Sequence, residues 1–371
     1  MSTLPLSDLL VVSLEQAVAA PYCTRLFAEG GARIIKLERP EGDFARAYDT
    51  AIHGQSAYFV WLNTGKESLA VDLTRTEDAD LLRSMLARAD VFVQNLKPGS
   101  VDKLGFGYAA ANALNPRLVM CSISGYGASG PYADMKAYDA LIQAETGLCS
   151  VTGAPGQPSK VGASICDIST GLSAYGEVLK ALYARNKSGL GTHIELSLFE
   201  VLSEWMAVPL AILEYTGKML AGTGMDHAQL APYGAYAAQD GPIFVVIQNN
   251  REWLQLCRDG LGRPEMADDP RYKTNVLRVE NRAALRADME AVFAHHTQAE
   301  LAVKLNQAGI ACGSINDIAG LQKHPALRRK DITLGEQSVS LIRRTGDGLQ
   351  NAAVPALDEQ GAAIRAEFAA R

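Results

Sequence analysis

The sequence predicts an α/β protein with a large lobe built on an open, mostly parallel sheet and a smaller α/β lobe. Three observations support this prediction. A chain of 371 residues with 48% hydrophobic and 20% charged residues can bury a substantial core, and its length suggests more than one lobe. Short apolar runs alternate with amphipathic segments in the first half, which is typical of a sheet covered by helices on both faces. A polar, glycine-bearing stretch at residues 218–227 then marks a boundary to further elements.

The first elements along the chain have the pattern of a β-α-β unit. The apolar run at 9–14 predicts a buried strand, Pro21 begins a helix that Gly30 and Gly31 end, and residues 33–38 predict a second strand. An amphipathic helix is expected at 78–89. Further strands are expected at 68–73, 91–95 and 118–124.

The second half contains a strand-like alternation at 193–199, followed by a long apolar helix through Trp205 and Met206 up to Gly217. We therefore expect a large domain at 1–199, a linker helix and loop at 200–225, a small α/β domain at 226–325, and a C-terminal return to the large domain at 326–371. The small domain is expected to contain strands at 242–248 and 310–315, with helices at 251–259, 280–295 and 298–308.

Composition excludes several classes of function. A formal net charge of −6 argues against nucleic acid or an anionic membrane as the main partner, since both attract basic surfaces. The six cysteines show no metal-ligand spacing, which favours reduced thiols in a reducing compartment and predicts no metal site. The N-terminus lacks the pattern of an export signal, and no apolar run has the length of a membrane span. We therefore expect a cytoplasmic protein.

Polar residues follow the predicted strands at the edge where a parallel sheet binds ligands. These residues are Gln16, Arg39, Asp72, Thr74, Asn95, Lys97 and Tyr126. The convergence predicts a binding crevice. A formal G-x-G-x-x-A match at 105–110 follows residues 100–104, which have the pattern of a helical turn rather than a strand, so it does not predict dinucleotide binding.

Asp167 stands immediately before a long amphipathic segment and is expected at or near a helix start. The positive end of the helix dipole would favour its ionised form by roughly 0.3–1 kcal/mol. An ionised carboxylate can act as a nucleophile. The alternative is that Asp167 or Ser169 only caps the helix.

Seven segments, in order along the chain, resemble the family III CoA-transferases, the superfamily that includes formyl-CoA and carnitine CoA-transferases and the α-methylacyl-CoA racemases. They are EQAVAAPYCT at 15–24, GARIIKLERP at 31–40, NTGKES at 63–68, NLKPG at 95–99, SGYG at 124–127, KAYD at 136–139 and DISTG at 167–171. The resemblance implies a large lobe with a Rossmann-like sheet and an interlocked homodimer.

The resemblance also implies the chemistry. Asp167 falls on the position of the family's nucleophilic aspartate, acyl-CoA and a free carboxylic acid are the substrates, and no cofactor is bound permanently. The implied CoA contacts are Val18, Ala19, Arg39, Val71, Asp72, Leu73, Thr74, Asn95, Leu96, Lys97, Lys103, Lys136, Ala137, Tyr138 and Asp139. Lys36, Lys66 and Arg75 could add positive charge for the CoA phosphates. Main-chain amides at 17–19 and around Asp167 are candidate oxyanion donors, and Gln16 is a candidate polar residue that orients the substrate.

Other features bear on substrate and alternatives. The loop at 222–227 is a candidate cover over the site, and Arg46 or His227 could pair with a second carboxylate. Small dicarboxylic acids such as succinate, itaconate, mesaconate or citramalate are the favoured acceptors; oxalate or formate, carnitine-type and aryl acids stay open. The racemases carry a histidine where this chain has Tyr138, and tyrosine is a weak base at neutral pH. A non-catalytic CoA-binding protein would be expected to lack Asp167.

Overall fold

The computed structural model describes residues 4–344, 348–349 and 351–369. The predicted domain limits at residues 1 and 371 therefore lie outside the described residues. The described part of the chain divides into two compact units, the first formed by described residues within 4–147, 161–208 and 328–369 and the second by residues 148–160 and 209–327. None of the helices among the described residues has the length and apolar character needed to cross a bilayer.

The first unit is built on a six-stranded parallel sheet with the strand order β3-β2-β1-β4-β5-β6. The mostly parallel α/β sheet is confirmed. Its order reverses between β1 and β4, which places a crevice at the carboxyl ends of those two strands. The strands are β1 Leu10–Leu14, β2 Arg33–Glu38, β3 Glu67–Ala70, β4 Val91–Gln94, β5 Val119–Ser124 and β6 His193–Ser197.

Helices pack on both faces of this sheet because its strands are apolar on both sides. One buried cluster joins Val12, Ile35 and Phe92 to Met85 and to Phe368 near the C-terminus. The helices of the first unit are α1 Ala19–Glu29, α2 Ala57–Asn63, α3 Thr76–Leu86, α4 Ser100–Lys103, α5 Tyr108–Leu114, α6 Asp139–Glu145, α8 Ile165–Ser188, α9 Leu198–Trp205 and α16 Gly361–Phe368. The helical turn predicted at 100–104 and the helix start predicted near Asp167 are confirmed.

The second unit has a three-stranded antiparallel sheet of order β7-β8-β9, formed by β7 Tyr233–Ala238, β8 Gly241–Val246 and β9 Ala311–Ser314. Its own core includes Trp253, Met289 and Leu305. The strands predicted at 242–248 and 310–315 are confirmed to within two residues, whereas β7 was not predicted. Its helices are α7 Leu148–Val151, α11 Asn250–Gln255, α12 Asn275–Glu280, α13 Arg282–Phe293, α14 Gln298–Gln307 and α15 Ile318–Lys323.

Two further elements differ from the expectation. The long helix predicted up to Gly217 is interrupted at Met206, and a separate helix, α10 Ala207–Thr216, follows. Pro209 explains the break, because it lacks an amide and its ring would meet the carbonyl of residue 205 in a continuous helix. Near the C-terminus, β10 Arg329–Leu334 and β11 Gln337–Ile342 form an antiparallel hairpin that was not predicted.

Candidate active site

A cavity of about 430 Å³ opens at the carboxyl ends of β1, β2 and β3 and beside the loop after β4. Among its lining residues are Gln16, Arg39 and Leu96, together with the segment 71–74. Side chains that the sequence placed after four different strands therefore surround one space. Within it, the Thr74 hydroxyl donates to Asp72 Oδ1 at 2.6 Å, so this hydroxyl is already engaged with a carboxylate.

The loop after β1 is held by the side chain of Asn95, which follows β4. Asn95 Oδ1 accepts the amide of Gln16 at 2.9 Å, and Asn95 Nδ2 donates to the Gln16 carbonyl at 2.9 Å. This pair of bonds spans the point where the strand order reverses. The next residue, Ala17, has a left-handed φ of 63°. Asn95 therefore positions main chain, and both polar atoms of its side chain are in use.

Beneath this loop lies a buried ion cluster formed by Glu15, Lys36, Asp43 and Lys66. Lys36 Nζ lies 2.8 Å from Asp43 Oδ2, and Lys66 Nζ lies 2.6 Å from Glu15 Oε1. All four residues are at most 5% exposed. The hypothesis that Lys36 and Lys66 supply charge for CoA phosphates is wrong, because both ammonium groups are sealed from solvent and paired with carboxylates.

The side chain of Arg46 is also paired with a carboxylate inside the protein. It forms a two-pronged ion pair with Glu38, with Nε and Nη2 at 2.8 and 2.7 Å from the two carboxylate oxygens. Burial acts to raise the pKa of Glu38, but Arg46 and Lys36 outweigh it and lower that pKa to about 2. The guanidinium also lies 3.8 Å from the centre of the Phe59 ring. The structure therefore contradicts the hypothesis that Arg46 pairs with a substrate carboxylate.

Asp167 lies in the first turn of α8, and another carboxylate occupies the end of that helix. Asp139 Oδ1 accepts the amides of Cys166 and Asp167 at 2.8 and 3.1 Å. Its second oxygen accepts a hydrogen bond of 2.6 Å from Gln143 Nε2. Asp139, which the sequence suggested only as a CoA contact, thus caps the helix that carries Asp167. The alternative that Asp167 or Ser169 is the cap does not hold, since the Ser169 hydroxyl donates to the Cys166 carbonyl.

The electrostatic surroundings of Asp167 are opposite to those expected from its helix position. Burial, and then the neighbouring charge of Asp139, raise the pKa of Asp167 to about 7. The expectation that the helix dipole favours the ionised form is therefore wrong, because Asp139 already neutralises the exposed amides. Near neutral pH the carboxyl of Asp167 is therefore present in both its protonated and its ionised form.

Gly171, one turn after Asp167, lets α8 approach α1 closely. A Cβ atom at this position would lie 2.4 Å from the Ala19 carbonyl oxygen and 3.0 Å from Tyr22 Cβ. Ile168 on the same turn packs against the buried cluster that contains Val18. The first turns of α8 are therefore adjacent to the start of α1, which carries Val18 and Ala19.

Aromatic residues stand near Asp167, among them Tyr48 and Tyr58, and Tyr58 was not named from the sequence. Burial, and then Asp43 and Asp167, raise the pKa of Tyr48 to about 12, so the phenol stays protonated at neutral pH. Its ring lies edge-on to that of Tyr58 at 5.9 Å, and the Tyr58 hydroxyl is 2.8 Å from Ser164 Oγ. Tyr48 and Tyr138 are 47% and 66% exposed. No spacing rule links 48 to 138 and 167, so only the fold reveals this group.

The other sequence-predicted residues lie at the same edge of the sheet. Lys97 is exposed and lies 3.0 Å from Asp134, and Lys103 and Lys136 are exposed. Ala137 lies against Gly125, the residue directly after β5. A Cβ atom added to Gly125 would lie 2.2 Å from the Cβ of Ala137. The segment Lys136 to Asp139 is therefore held against the carboxyl end of β5, with its lysine in solvent.

The candidate cover loop at 222–227 lies in the second unit and is anchored there. Gly222 and Gly224 donate to the carbonyls of Ser150 and Gly153 at 3.0 and 2.7 Å. Asp226 Oδ1 forms an ion pair with Arg286 Nη2 at 2.5 Å. The carbonyl oxygen of His227 accepts a hydrogen bond of 2.6 Å from Arg282 Nη2. These contacts are internal to that unit, and the role of the loop as a cover stays a prediction.

Comparison with known proteins adds a family and a fold. The model for CoA-transferase family III matches residues 6–364. Acetyl-CoA:oxalate CoA-transferase of Acetobacter aceti is 36% identical over 99% of this chain and 96% of that protein. Succinate–glutarate CoA-transferase of Agrobacterium fabrum is 32% identical over 88% and 84%. The crystal structure of a CaiB/BaiF family protein from Brucella suis superposes with a TM-score of 0.83 at 34% identity, covering 99% of this chain and 100% of that one.

Proposed function

Because this chain belongs to CoA-transferase family III, an enzyme family, we propose that it transfers CoA from an acyl-CoA donor to a free carboxylic acid with Asp167 as covalent nucleophile. The observation that carries the proposal is the environment of Asp167. Its carboxyl is half-buried, has a pKa of about 7, and lies in the first turn of α8, the helix that packs closely against the start of α1. A poorly solvated carboxylate that ionises near neutral pH is suited to attack a thioester.

The reaction would take four steps. Ionised Asp167 attacks the thioester carbonyl, the carbon–sulfur bond breaks, and a mixed aspartyl anhydride and CoA thiolate result. The thiolate attacks the aspartyl carbonyl, which releases the donor acid and leaves an aspartyl-CoA thioester. The acceptor carboxylate then attacks the carbonyl of this thioester and expels CoA thiolate, which leaves a mixed anhydride between Asp167 and the acceptor. Attack of the thiolate on the acceptor acyl carbon yields the new acyl-CoA and free Asp167. The thioester energy is conserved throughout, so no ATP is consumed.

CoA would lie along the carboxyl edge of the sheet. The cavity lined by Arg39, Leu96 and the segment 71–74 offers apolar surface and one guanidinium, which fits a nucleotide end. Lys97, Lys103 and Lys136 remain exposed for the phosphates. The amides of Val18 and Ala19 would stabilise the oxyanions that form at each addition. Asn95 contributes by holding the Gln16 loop, since its side-chain atoms are already bonded.

A small dicarboxylic acid is the acceptor that we favour. The similar enzymes named above act on oxalate and on succinate or glutarate, which are short dicarboxylates. The protonated hydroxyl of Tyr48 can donate a hydrogen bond to the second carboxylate. A racemase would instead need an acid and a base on either side of the substrate, and Tyr138 is a weak base. A CoA-binding protein without activity would have no use for Asp167.

A second copy of the chain would complete the assembly. Helix α10 is apolar in sequence, yet it contains no buried residue, with Val208, Leu210 and Tyr215 at 58%, 53% and 87% exposure. Such a helix is usually covered by a partner. We therefore expect a homodimer, which light scattering would show as twice the mass of 39.7 kDa. The six free cysteines fit a reducing cytoplasm.

The decisive experiment incubates the enzyme with succinyl-CoA and a panel of free acids and follows new thioesters by mass spectrometry. Hydroxylamine added during turnover should convert Asp167 to its hydroxamate. Asp167→Ala should abolish both signals, whereas Asp49→Ala, a carboxylate change elsewhere in the first unit, should leave them intact. Transfer that persists in Asp167→Ala would refute the nucleophile. Exchange of the α-proton of a 2-methylacyl-CoA without transfer would favour the racemase, and CoA binding alone would favour the binding protein.

A further inference from the structure

The buried ion cluster of Glu15, Lys36, Asp43 and Lys66 has no part in the reaction proposed above, yet it adjoins the site. Glu15 directly follows β1, Lys36 lies within β2, Asp43 lies in the turn after β2, and Lys66 directly precedes β3. Buried ion pairs contribute little net stability, because the loss of hydration offsets the attraction between the charges. Four sealed charges beneath one loop therefore call for a reason other than stability.

Asp43 connects the cluster to that loop. Its Oδ1 accepts the amide of Ala17 at 3.3 Å and the amide of Ala45 at 2.9 Å. Its Oδ2 accepts Lys36 Nζ at 2.8 Å. Lys36 Nζ also lies 3.4 Å from the Glu15 carbonyl oxygen and 3.7 Å from the Glu15 carboxylate. The carboxylate of Asp43 thus joins a fixed ammonium group below the loop to the main chain of Ala17.

The conformation of Ala17 is one that needs such support. A left-handed φ of 63° is unfavourable for an alanine, whose Cβ crowds the following carbonyl. Asn95 fixes Gln16 on one side, and Asp43 fixes the amide of Ala17 itself. This turn directs the chain into α1. No hydrogen bond within the described part of the chain uses the amides of Val18 or Ala19, which stay available to a ligand.

We propose that Asp43 and Lys36 are positioning residues that hold Ala17 in its left-handed turn and thereby aim the Val18 and Ala19 amides at the reacting carbonyl beside Asp167. This inference rests on the proposed function and adds to it. It also changes one sequence-based expectation, since the amide of Ala17 points to Asp43 and is not an oxyanion donor. The ion cluster then acts through backbone geometry and does not touch the substrate.

Asp43→Asn tests this arrangement with a minimal change of shape. The new amide oxygen can still accept the Ala17 amide, but its NH₂ group would face Lys36 Nζ, so two donors would oppose each other. We expect kcat to fall about 100-fold while KM for succinyl-CoA changes less than about threefold, because the misplaced donors act in the transition state. The double variant Lys36→Met/Asp43→Asn removes the clash between donors and should recover about tenfold of the lost rate.

Asp49→Asn is the matched control. Asp49 also accepts two main-chain amides, those of Ala51 and Ala57, and among the described residues it forms no hydrogen bond with the loop after β1. It should leave kcat unchanged. A kcat in Asp43→Asn within about threefold of the wild type would overturn the proposal.

Hydrogen–deuterium exchange gives a readout that does not depend on turnover. In Asp43→Asn the peptide that spans 14–22 should exchange about tenfold faster than in the wild type, and peptides from the second unit should not change. Unchanged exchange at 14–22 would also overturn the inference. Wild-type enzyme that transfers CoA to none of the acids would refute the proposed function, and the exchange rates would then decide on the positioning role separately.

Discussion

Replacing Asp167 with asparagine should stabilise the protein, and the gain should depend on pH. Folding moves the carboxyl of Asp167 from its ordinary pKa of 3.8 to about 7, because burial and Asp139 disfavour the charge. A carboxylate with a raised pKa lowers stability once it is forced to ionise in the folded state. The asparagine side chain of the variant keeps the shape and never carries that charge. The nucleophile is thus expected to be a destabilising residue in its own site.

The size of the effect follows from the two pKa values. A difference of about three pH units, at about 1.36 kcal/mol each, corresponds to about 4 kcal/mol. The wild type should lose this stability as the pH rises from about 4 to about 7, since the unfolded chain ionises first. The advantage of the variant should therefore be about 1.5 kcal/mol near pH 5 and reach about 4 kcal/mol above pH 8.

Urea unfolding of both proteins at fixed concentration, from about pH 5 to about pH 8.5, measures this difference. Any effect of the substitution on the free energy of unfolding that does not depend on pH cancels when measurements at two pH values are compared. Asp8→Asn, a change at an exposed carboxyl of the same unit, serves as the control for the loss of one carboxyl group. A flat profile for Asp167→Asn, or an equal slope for the control, would show that Asp167 ionises normally in the folded protein.

Three further predictions concern the same region. The rate of CoA transfer should fall about tenfold per pH unit below about pH 6, because the Asp167 carboxylate becomes protonated. Asp139→Asn removes a neighbouring negative charge and should move this acidic limb of the pH–rate profile to lower pH. A limb that does not move would contradict its assignment to the ionisation of Asp167. Gly171→Ala should lower the free energy of unfolding in urea by more than about 2 kcal/mol, since the added Cβ would lie 2.4 Å from the Ala19 carbonyl oxygen. Gly176→Ala on the same helix is the control, because its Cβ would meet no described atom within 4 Å, and it should stabilise the protein by about 0.5–1 kcal/mol. Similar effects at both positions would disprove the close helix contact. Asn95→Asp should cost about 1–3 kcal/mol in the same assay, because a carboxylate cannot donate to the Gln16 carbonyl, and a neutral result would mean that this bond does not hold the loop.

Local patterns predicted the parts of the fold that depend on local physics. The strand at 33–38 matches β2 residue for residue, because Ile34, Ile35 and Leu37 form a short strand-like segment between a glycine pair and a proline. Asp167 was placed at a helix start from the amphipathic run behind it, and α8 begins at Ile165. β7 was missed because Tyr-Gly-Ala-Tyr-Ala-Ala has few β-branched residues. The β10–β11 hairpin was missed as well, although the alternation around Gly335 favours a hairpin.

The site was harder to predict, because its electrostatics depend on tertiary neighbours. A lysine near the end of a strand reads as a ligand for phosphate, but Lys36 faces Asp43 and Glu15 inside the protein. The helix dipole at Asp167 is a local effect that Asp139, 28 positions earlier, overrides. Tyr48 approaches Asp167 only because the turn after β2 folds over the start of α1. Sequence position alone encodes none of these long-range pairings.

The neutral fraction of Asp167 has a practical consequence for chemical labelling. Most aspartates and glutamates are fully ionised at pH 7, and this chain has 41 of them. Diazo reagents esterify carboxylic acids in their protonated form, so a side chain whose pKa is raised by burial and a neighbouring charge should react ahead of its ionised counterparts. A small diazo probe shaped like an acyl-CoA tail should thus esterify Asp167 selectively over the ionised carboxylates of the chain.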